Sequence, residues 1–401
     1  MDIGYSRRNS TMTTLKNNRN AEEYKGFEQG PIRPPSEASS LLIRVTRNCP
    51  WNRCTFCPVY KGSRFSLRPV EHVLKDIDQV HQSVVLLKEL GEKTGYVESS
   101  HISKASKGMN PGEMQAFHAA LNWINSGMES IFLQDANSLI IKPEDLTRIL
   151  HYLKNKFPWV KRITSYARSH TIARIQDEDM KIFSRAGLNR IHIGLESGAD
   201  PVLQMVQKGA TQEIHIKAGI KVKNAGIQLS EYVMPGLGGK KLSRIHAIET
   251  AETLNQINPE FIRLRTLAIP NHVELYHEYE QGNFEKCTDM MMAEEIRLFL
   301  QTLSGITSTI KSDHILNLFE EIEGRLPEEK EKMLSVLNEF LDMPPERQMI
   351  YQVGRRLGQF SRLKDIENSM AYSRTEQTCK RMGITPDNVD AMIDEMMKRF
   401  I

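Results

Sequence analysis

The stretch RITSYARSHTIARIQDEDMKIFSRAGLNRIHIGLES, residues 162–197, reads as strand, helix and strand in immediate succession. "RITSYAR" (162–168) and "RIHIGLES" (190–197) are short, β-branched runs of the kind that form strands. Between them "QDEDMKIFSRAG" (176–187) reads as a helix closed by the stop signal Gly187. Two strands joined by one helix are the unit of a parallel sheet, because a parallel partner can be reached only by crossing over.

The unit repeats on both sides. Upstream, "LLIRVTR" (41–47) and "SIFLQDA" (130–136) read as strands, with helices at 69–90, 117–127 and 143–157. Downstream, "IQLSEYVMPGLGG" (227–239) and "FIRLRTLAI" (261–269) continue the series, with helices at 211–226 and 242–257. Residues 91–114 are polar and rich in Gly and Ser, a long connection. Six strands alternating with helices predict an α/β fold. With right-handed crossovers they form either a doubly wound sheet or a full or partial barrel. From about residue 285 the pattern is helical with no convincing strand, which predicts a helical C-terminal region over 285–401 behind an α/β unit over 39–284. Residues 1–38 are polar and read as a mobile arm.

Composition narrows the class. The chain has 401 residues, with 53 basic against 50 acidic side chains and a net charge of +3, which exerts no global pull on nucleic acid. No apolar run approaches the roughly 20 residues that span a bilayer, and the N-terminus lacks the apolar centre of a secretory signal. Five cysteines are no disulfide framework, so a reducing, cytoplasmic setting is expected.

Three of those five fall within nine residues, in "CPWNRCTFC" (49–57), directly after the first strand. Loops at the carboxyl ends of parallel strands are where sites are built. Thiolates are soft ligands suited to zinc or to iron–sulfur clusters. Cys49, Cys54 and Cys57 form C-x4-C-x2-C, and Cys287 and Cys379 stand far away. A structural zinc site closes with four ligands, which here would need a histidine such as His72 or His101. Three thiolates suit a 4Fe–4S cluster better, since one iron stays open to bind something else.

"RVTRNCPWNRCTFCPVYKG" (44–62) resembles the cluster-binding segment of the radical S-adenosylmethionine enzymes. Their usual spacing is C-x3-C-x2-C with an aromatic before the last cysteine. Here Phe56 precedes Cys57, and one extra residue separates the first two cysteines. "FLQDANSLIIKPEDLTRIL", "SYARSHTI", "GLNRIHIGLESGADPVLQMVQKGAT" and "AGIQLSEYVMPGLGG" resemble later strands of the same family in the right order, over roughly residues 40–270. Their style is that of the subgroup with methylthiotransferases and cobalamin-linked members, although its usual accessory domains are not read here. The resemblance implies a partial (β/α)6 barrel and one 4Fe–4S cluster on Cys49, Cys54 and Cys57. It also implies reductive cleavage of S-adenosylmethionine to a 5′-deoxyadenosyl radical that abstracts hydrogen from a substrate, with an electron donor such as flavodoxin or ferredoxin. Neither a membrane nor a nucleic acid partner is indicated.

For S-adenosylmethionine the same resemblance points to residues at strand ends. Asp135 and Asn137 follow the second strand and suit an amino group, unless they form a turn and helix cap. Arg168 ends the third strand and suits a carboxylate. Glu196 and Ser197 end the fourth, and Pro235 and Gly236 lie in the segment placed against the adenine. Arg265 points either into the barrel or to solvent. The rival reading is a zinc- or cluster-stabilised binding protein on the same fold, without radical chemistry.

Overall fold

The computed structural model describes residues 22–92 and 99–397. Six strands run parallel as neighbours in chain order: β1 (Leu41–Arg44), β2 (Ser130–Gln134), β3 (Arg162–Ala167), β4 (Leu188–Glu196), β5 (Gln228–Val233) and β6 (Phe261–Leu264). Each overlaps the strand expected from sequence, with ends shifted by a few residues; β4 begins two residues earlier than expected. The sheet is open: two more strands, β7 (Thr309–Lys311) and β8 (Gly324–Arg325), extend it beyond β6. The architecture is a partial α/β barrel.

Alternation along the strands makes the two faces different. Ile131, Leu133, Ile163, Ile191, Ile193, Leu195, Leu229, Val233, Ile262 and Leu264 join the core beneath the helices. Burying each such side chain contributes about 1.5–3 kcal/mol. The alternate positions are polar or aromatic, among them Thr164, Tyr166, His192, Ser230, Tyr232 and Arg263. A sheet with one greasy and one polar buried face has helices on the first and a chamber on the second. Helix Gly239–Ile257 packs beside Gln212–Asn224 and against Asp289–Thr302, carrying the outer layer past the last crossover.

Two domain expectations are corrected by these contacts. The region after 285 does not stand apart as helices alone, because β7 and β8 belong to the main sheet. At three and two residues they are too short to leave a periodic pattern. They are held by packing and by Asn317, whose side chain accepts from the Thr266 amide at 2.9 Å and donates to the Leu264 carbonyl at 2.9 Å.

The polar N-terminal segment is also not a free arm over its described part, 22–38; residues 1–21 lie outside the described residues. Phe27 enters the core, and Gly30 donates its amide to Gln134 at 2.8 Å. Glu37 is buried inside the barrel between His192 (3.1 Å) and Arg162 (3.2 Å). Its low hydrophobicity reflects ion pairs with barrel residues. The connection at 91–114 contains the helix Ser99–Ala105 and the start of Pro111–Asn125, with 93–98 outside the described residues.

Candidate active site

A cavity of about 420 Å³ opens at the carboxyl ends of the strands. Cys49, Cys54 and Cys57 all line it, together with Arg168, Glu196 and Lys208. A wider surface groove of about 740 Å³, lined by Pro143, Arg148, His151 and Tyr152, lies on the helix layer and contains none of the candidate residues.

The cysteine loop leaves β1 and returns through a two-residue ribbon in which Thr46–Arg47 pairs antiparallel with Ser66–Leu67. Its extra residue is absorbed by local geometry. Asn52 takes a left-handed backbone (φ 48°), which asparagine tolerates better than most residues. Its amide donates to Cys49 Sγ at 3.4 Å and its side chain to the Tyr60 carbonyl at 2.6 Å. Trp51 swings outward, donates Nε1–H to the Gln207 carbonyl at 2.8 Å, and carries Arg53 and Arg168 near its ring, each at 5.1 Å from the centroid. Gly209 is needed there, since a Cβ would run into the indole ring. Beneath the loop Phe56 packs with Val202, Val206, Met234 and Leu267, an apolar floor against which Cys54 and Cys57 rest.

Asp135 anchors both shoulders of this loop. Its carboxylate is buried and accepts from Arg44 Nε (3.1 Å) and Nη2 (2.8 Å), from the amide of Asn48 (3.0 Å) and from the Tyr60 hydroxyl. Asn48 immediately precedes the first cysteine and Tyr60 follows the last by three residues. Its oxygens are therefore engaged within the protein, and it is not among the residues lining the cavity.

Asn137 is likewise engaged within the protein. It accepts from the Arg168 amide at 3.0 Å and donates to Thr171 at 2.8 Å, tying the loop after β2 to the one after β3. Ser197 is buried against His246 Nδ1 at 2.8 Å. The Pro235 carbonyl accepts from Leu267 at 3.0 Å, and the Gly236 amide donates to Glu295 at 2.7 Å. None of Asn137, Ser197, Pro235 and Gly236 lines the cavity; their neighbour Met234 does.

Arg168 and Glu196 do face it. Arg168 donates to the Lys208 carbonyl at 2.8 Å, and burial pulls its pKa below the ordinary guanidinium range. Glu196 sits at a register shift in β4 with φ 64°, a strained backbone that a functional edge can retain. It pairs with Lys208 at 3.0 Å. Burial opposes the Lys208 charge, but Glu196 and Cys54 outweigh it and hold the amine above the ordinary lysine range.

The thiols feel this charge. Burial pushes Cys54 and Cys57 above the ordinary thiol range, and Lys208 pulls both back toward the thiolate. Among the described residues no three His, Cys, Asp or Glu side chains are drawn into a tight metal-binding group; what the three thiols share is the cavity. Three soft donors on a half-buried wall beside two cations fit an anionic thiolate cluster. His72 edges Tyr24 and is not among the residues lining the cavity. Sequence reasoning gave Lys208 no role; its only local signal was its place beside Gly209 in "QKGAT". Tyr166, Tyr232, His272 and His314 also line the cavity, brought there by the topology.

Residues 104–251 match the model of the radical SAM superfamily. This span covers β2 to β5 and lies downstream of the cysteines. Over this span the chain is similar to that superfamily, whose enzymes use a 4Fe–4S cluster and S-adenosylmethionine. Among curated proteins it is 28% identical over 197 residues to 4'-phospho-dehydrooxetanocin synthase of Priestia megaterium, an alignment over 47% of this chain and 22% of that one. It is 20% identical over 268 residues to tRNA uridine(34) acetyltransferase of Methanocaldococcus jannaschii, over 64% of this chain and 47% of the other. The aligned segments thus span about half or less of these relatives. Coproporphyrinogen III oxidase (HemN) from Escherichia coli aligns at 12% identity and a TM-score of 0.42, over 65% of this chain and 52% of that structure. Among the described residues no helix is long and apolar enough to cross a membrane.

Proposed function

We propose that this protein is a radical S-adenosylmethionine enzyme that holds one 4Fe–4S cluster on Cys49, Cys54 and Cys57 and binds S-adenosylmethionine in the adjoining cavity. The observation that carries this is the convergence of all three thiols with Arg168, Glu196 and Lys208 on one cavity at the carboxyl ends of parallel strands. Cys49, Cys54 and Cys57 would hold the cluster, which when bound would supply one-electron reduction for cleaving S-adenosylmethionine to methionine and a hydrogen-abstracting 5′-deoxyadenosyl radical.

The chain's own residues bind and orient. Arg168 and Lys208 offer cationic donors for a carboxylate, and Glu196 offers an acceptor for an ammonium or ribose hydroxyl. Asp135 and Tyr60 fix the loop that carries the thiols, and Cys54 and Cys57 rest against the Phe56 floor. The catalytic unit on this reading is residues 39–284 completed by β7 and β8. Electrons would come from a flavodoxin or ferredoxin in a reducing cytoplasm. The two curated relatives named above carry different activities, so neither substrate is transferred.

The test is anaerobic reconstitution with iron and sulfide, reduction, and chromatography for 5′-deoxyadenosine, in wild type and in Cys54→Ala. Deoxyadenosine from wild type alone is expected. A protein that carries a full cluster and binds S-adenosylmethionine, yet yields none with any reductant, would overturn the catalytic reading in favour of a cluster-stabilised binding protein.

A further inference from the structure

The cavity has a second end. Past β6 and β7, at the sheet edge opposite the strand that leads to the cysteines, it is lined by Arg265, His272 and His314. Among the described residues Glu196 is the only carboxylate lining the cavity, and it is already paired with Lys208 at 3.0 Å.

A census of the nearby cations sets Arg265 apart. Arg168 is satisfied by a backbone carbonyl at 2.8 Å and by the Trp51 ring. Arg263, inside the barrel, is paired with Asp313 at 2.6 Å, which removes the carboxylate next to His314 from consideration. The backbone amide of Arg265 bonds the Val233 carbonyl at 2.9 Å, but among the described residues its guanidinium has no carboxylate or carbonyl partner. Its charge is nevertheless felt in the cavity, where it acts on both Tyr166 and His314.

His314 complements it. Burial, reinforced by the Arg265 charge, holds this imidazole neutral with its pKa at about 4. Its Nδ1 accepts the Leu316 amide at 3.3 Å, which leaves the proton on Nε2 as a donor. A guanidinium fork and a neutral N–H donor beside no free carboxylate are suited to an anion and ill suited to a cation or an apolar group.

We infer that the β6–β7 end of the cavity is the recognition pole for an anionic group, a carboxylate or a phosphate, on the substrate, with Arg265 as its principal ligand and His314 as a second donor. That the anion belongs to the substrate rests on the radical reading above; that an anion binds at Arg265 does not.

The experiment uses the full chain without cluster and observes the ligand by NMR. Inorganic phosphate is followed by 31P line broadening and acetate by saturation transfer, for wild type, Arg265→Lys and Arg265→Gln. Broadening of phosphate by wild type, weakened about tenfold or more in Arg265→Gln and partly kept in Arg265→Lys, is expected and assigns a phosphate pole. The same dependence with acetate instead assigns a carboxylate pole. No response to either anion, or equal responses in wild type and Arg265→Gln, overturns the inference. S-adenosylmethionine binding is then measured on the reconstituted proteins. Loss of it in Arg265→Gln would overturn the inference by giving the anion site to the cosubstrate. An Arg265-dependent anion site in a wild type that makes no 5′-deoxyadenosine would uphold the pole while the radical reading failed.

Discussion

The β1–β4 edge of the cavity and its β6–β7 edge treat charge in opposite ways. On the first, Asp135 holds Arg44, Glu196 holds Lys208, and Arg168 rests on a backbone carbonyl and an indole ring. On the second, Arg265 has no counter-charge among the described residues and stands beside a neutral His314. Paired charges in a half-buried wall are rigid and preorganised, which suits groups that are the same in every turnover. An unpaired charge is stable only while water solvates it, and is ready to be answered by a ligand. On the proposed reading the first edge serves the cofactors and the second selects the substrate.

Substitutions at the first edge carry the largest expected effects. Asp135→Ala leaves Arg44 with only the more distant Glu28 carboxylate at 3.6 Å and frees both shoulders of the cysteine loop. We expect a loss of about 3–5 kcal/mol in denaturant unfolding, the range for stripping one partner from a buried pair, and iron retention far below wild type. Iron content equal to wild type would separate the clamp from the thiols and break the comparison.

A smaller effect of opposite sign is expected at Glu231. On β5 it lies in register between Ile193 and Ile262, on the helix-covered face, and neither carboxyl oxygen has a partner. Burial raises its pKa well above 4.5, with Lys208 opposing and Glu196 adding to the rise. A raised carboxyl makes the folded state hold a proton that the unfolded chain releases, so wild-type stability falls as pH climbs from about 4.5 to the folded pKa. Glu231→Met removes that penalty and should gain about 1–3 kcal/mol at neutral pH, with the gain shrinking as pH falls from the folded pKa toward 4.5. A gain independent of pH would contradict the account.

Arg265→Gln, at the second edge, should change stability by no more than about 0.5 kcal/mol, because no partner is lost. A large destabilisation would mean that the charge is answered within the protein after all.

How much of this could be read in the sequence follows from what local pattern encodes. The six parallel strands were legible because their alternate residues are apolar, and the thiols because three soft ligands in nine residues are improbable by chance. The internal partners of Asp135 and Asn137 were not legible, because an acid or amide at a strand end serves a loop as well as a ligand. The strands Thr309–Lys311 and Gly324–Arg325 were missed because they are too short for any period and depend on a neighbour already in place. Lys208 and His314 are lone polar residues whose meaning comes from the chain folded around them. The packing of residues 22–38 was invisible because their partners, such as Gln134 and His192, lie over 100 residues away.

The central claim is that the three thiols carry a cluster with one iron open to S-adenosylmethionine. Its most direct test is electron paramagnetic resonance of the reconstituted, reduced protein with and without S-adenosylmethionine, beside iron, sulfide and zinc analysis. The account predicts about four irons and four sulfides per chain and a spectrum that changes when S-adenosylmethionine is added. One zinc and no iron, or a cluster signal indifferent to S-adenosylmethionine, would contradict it.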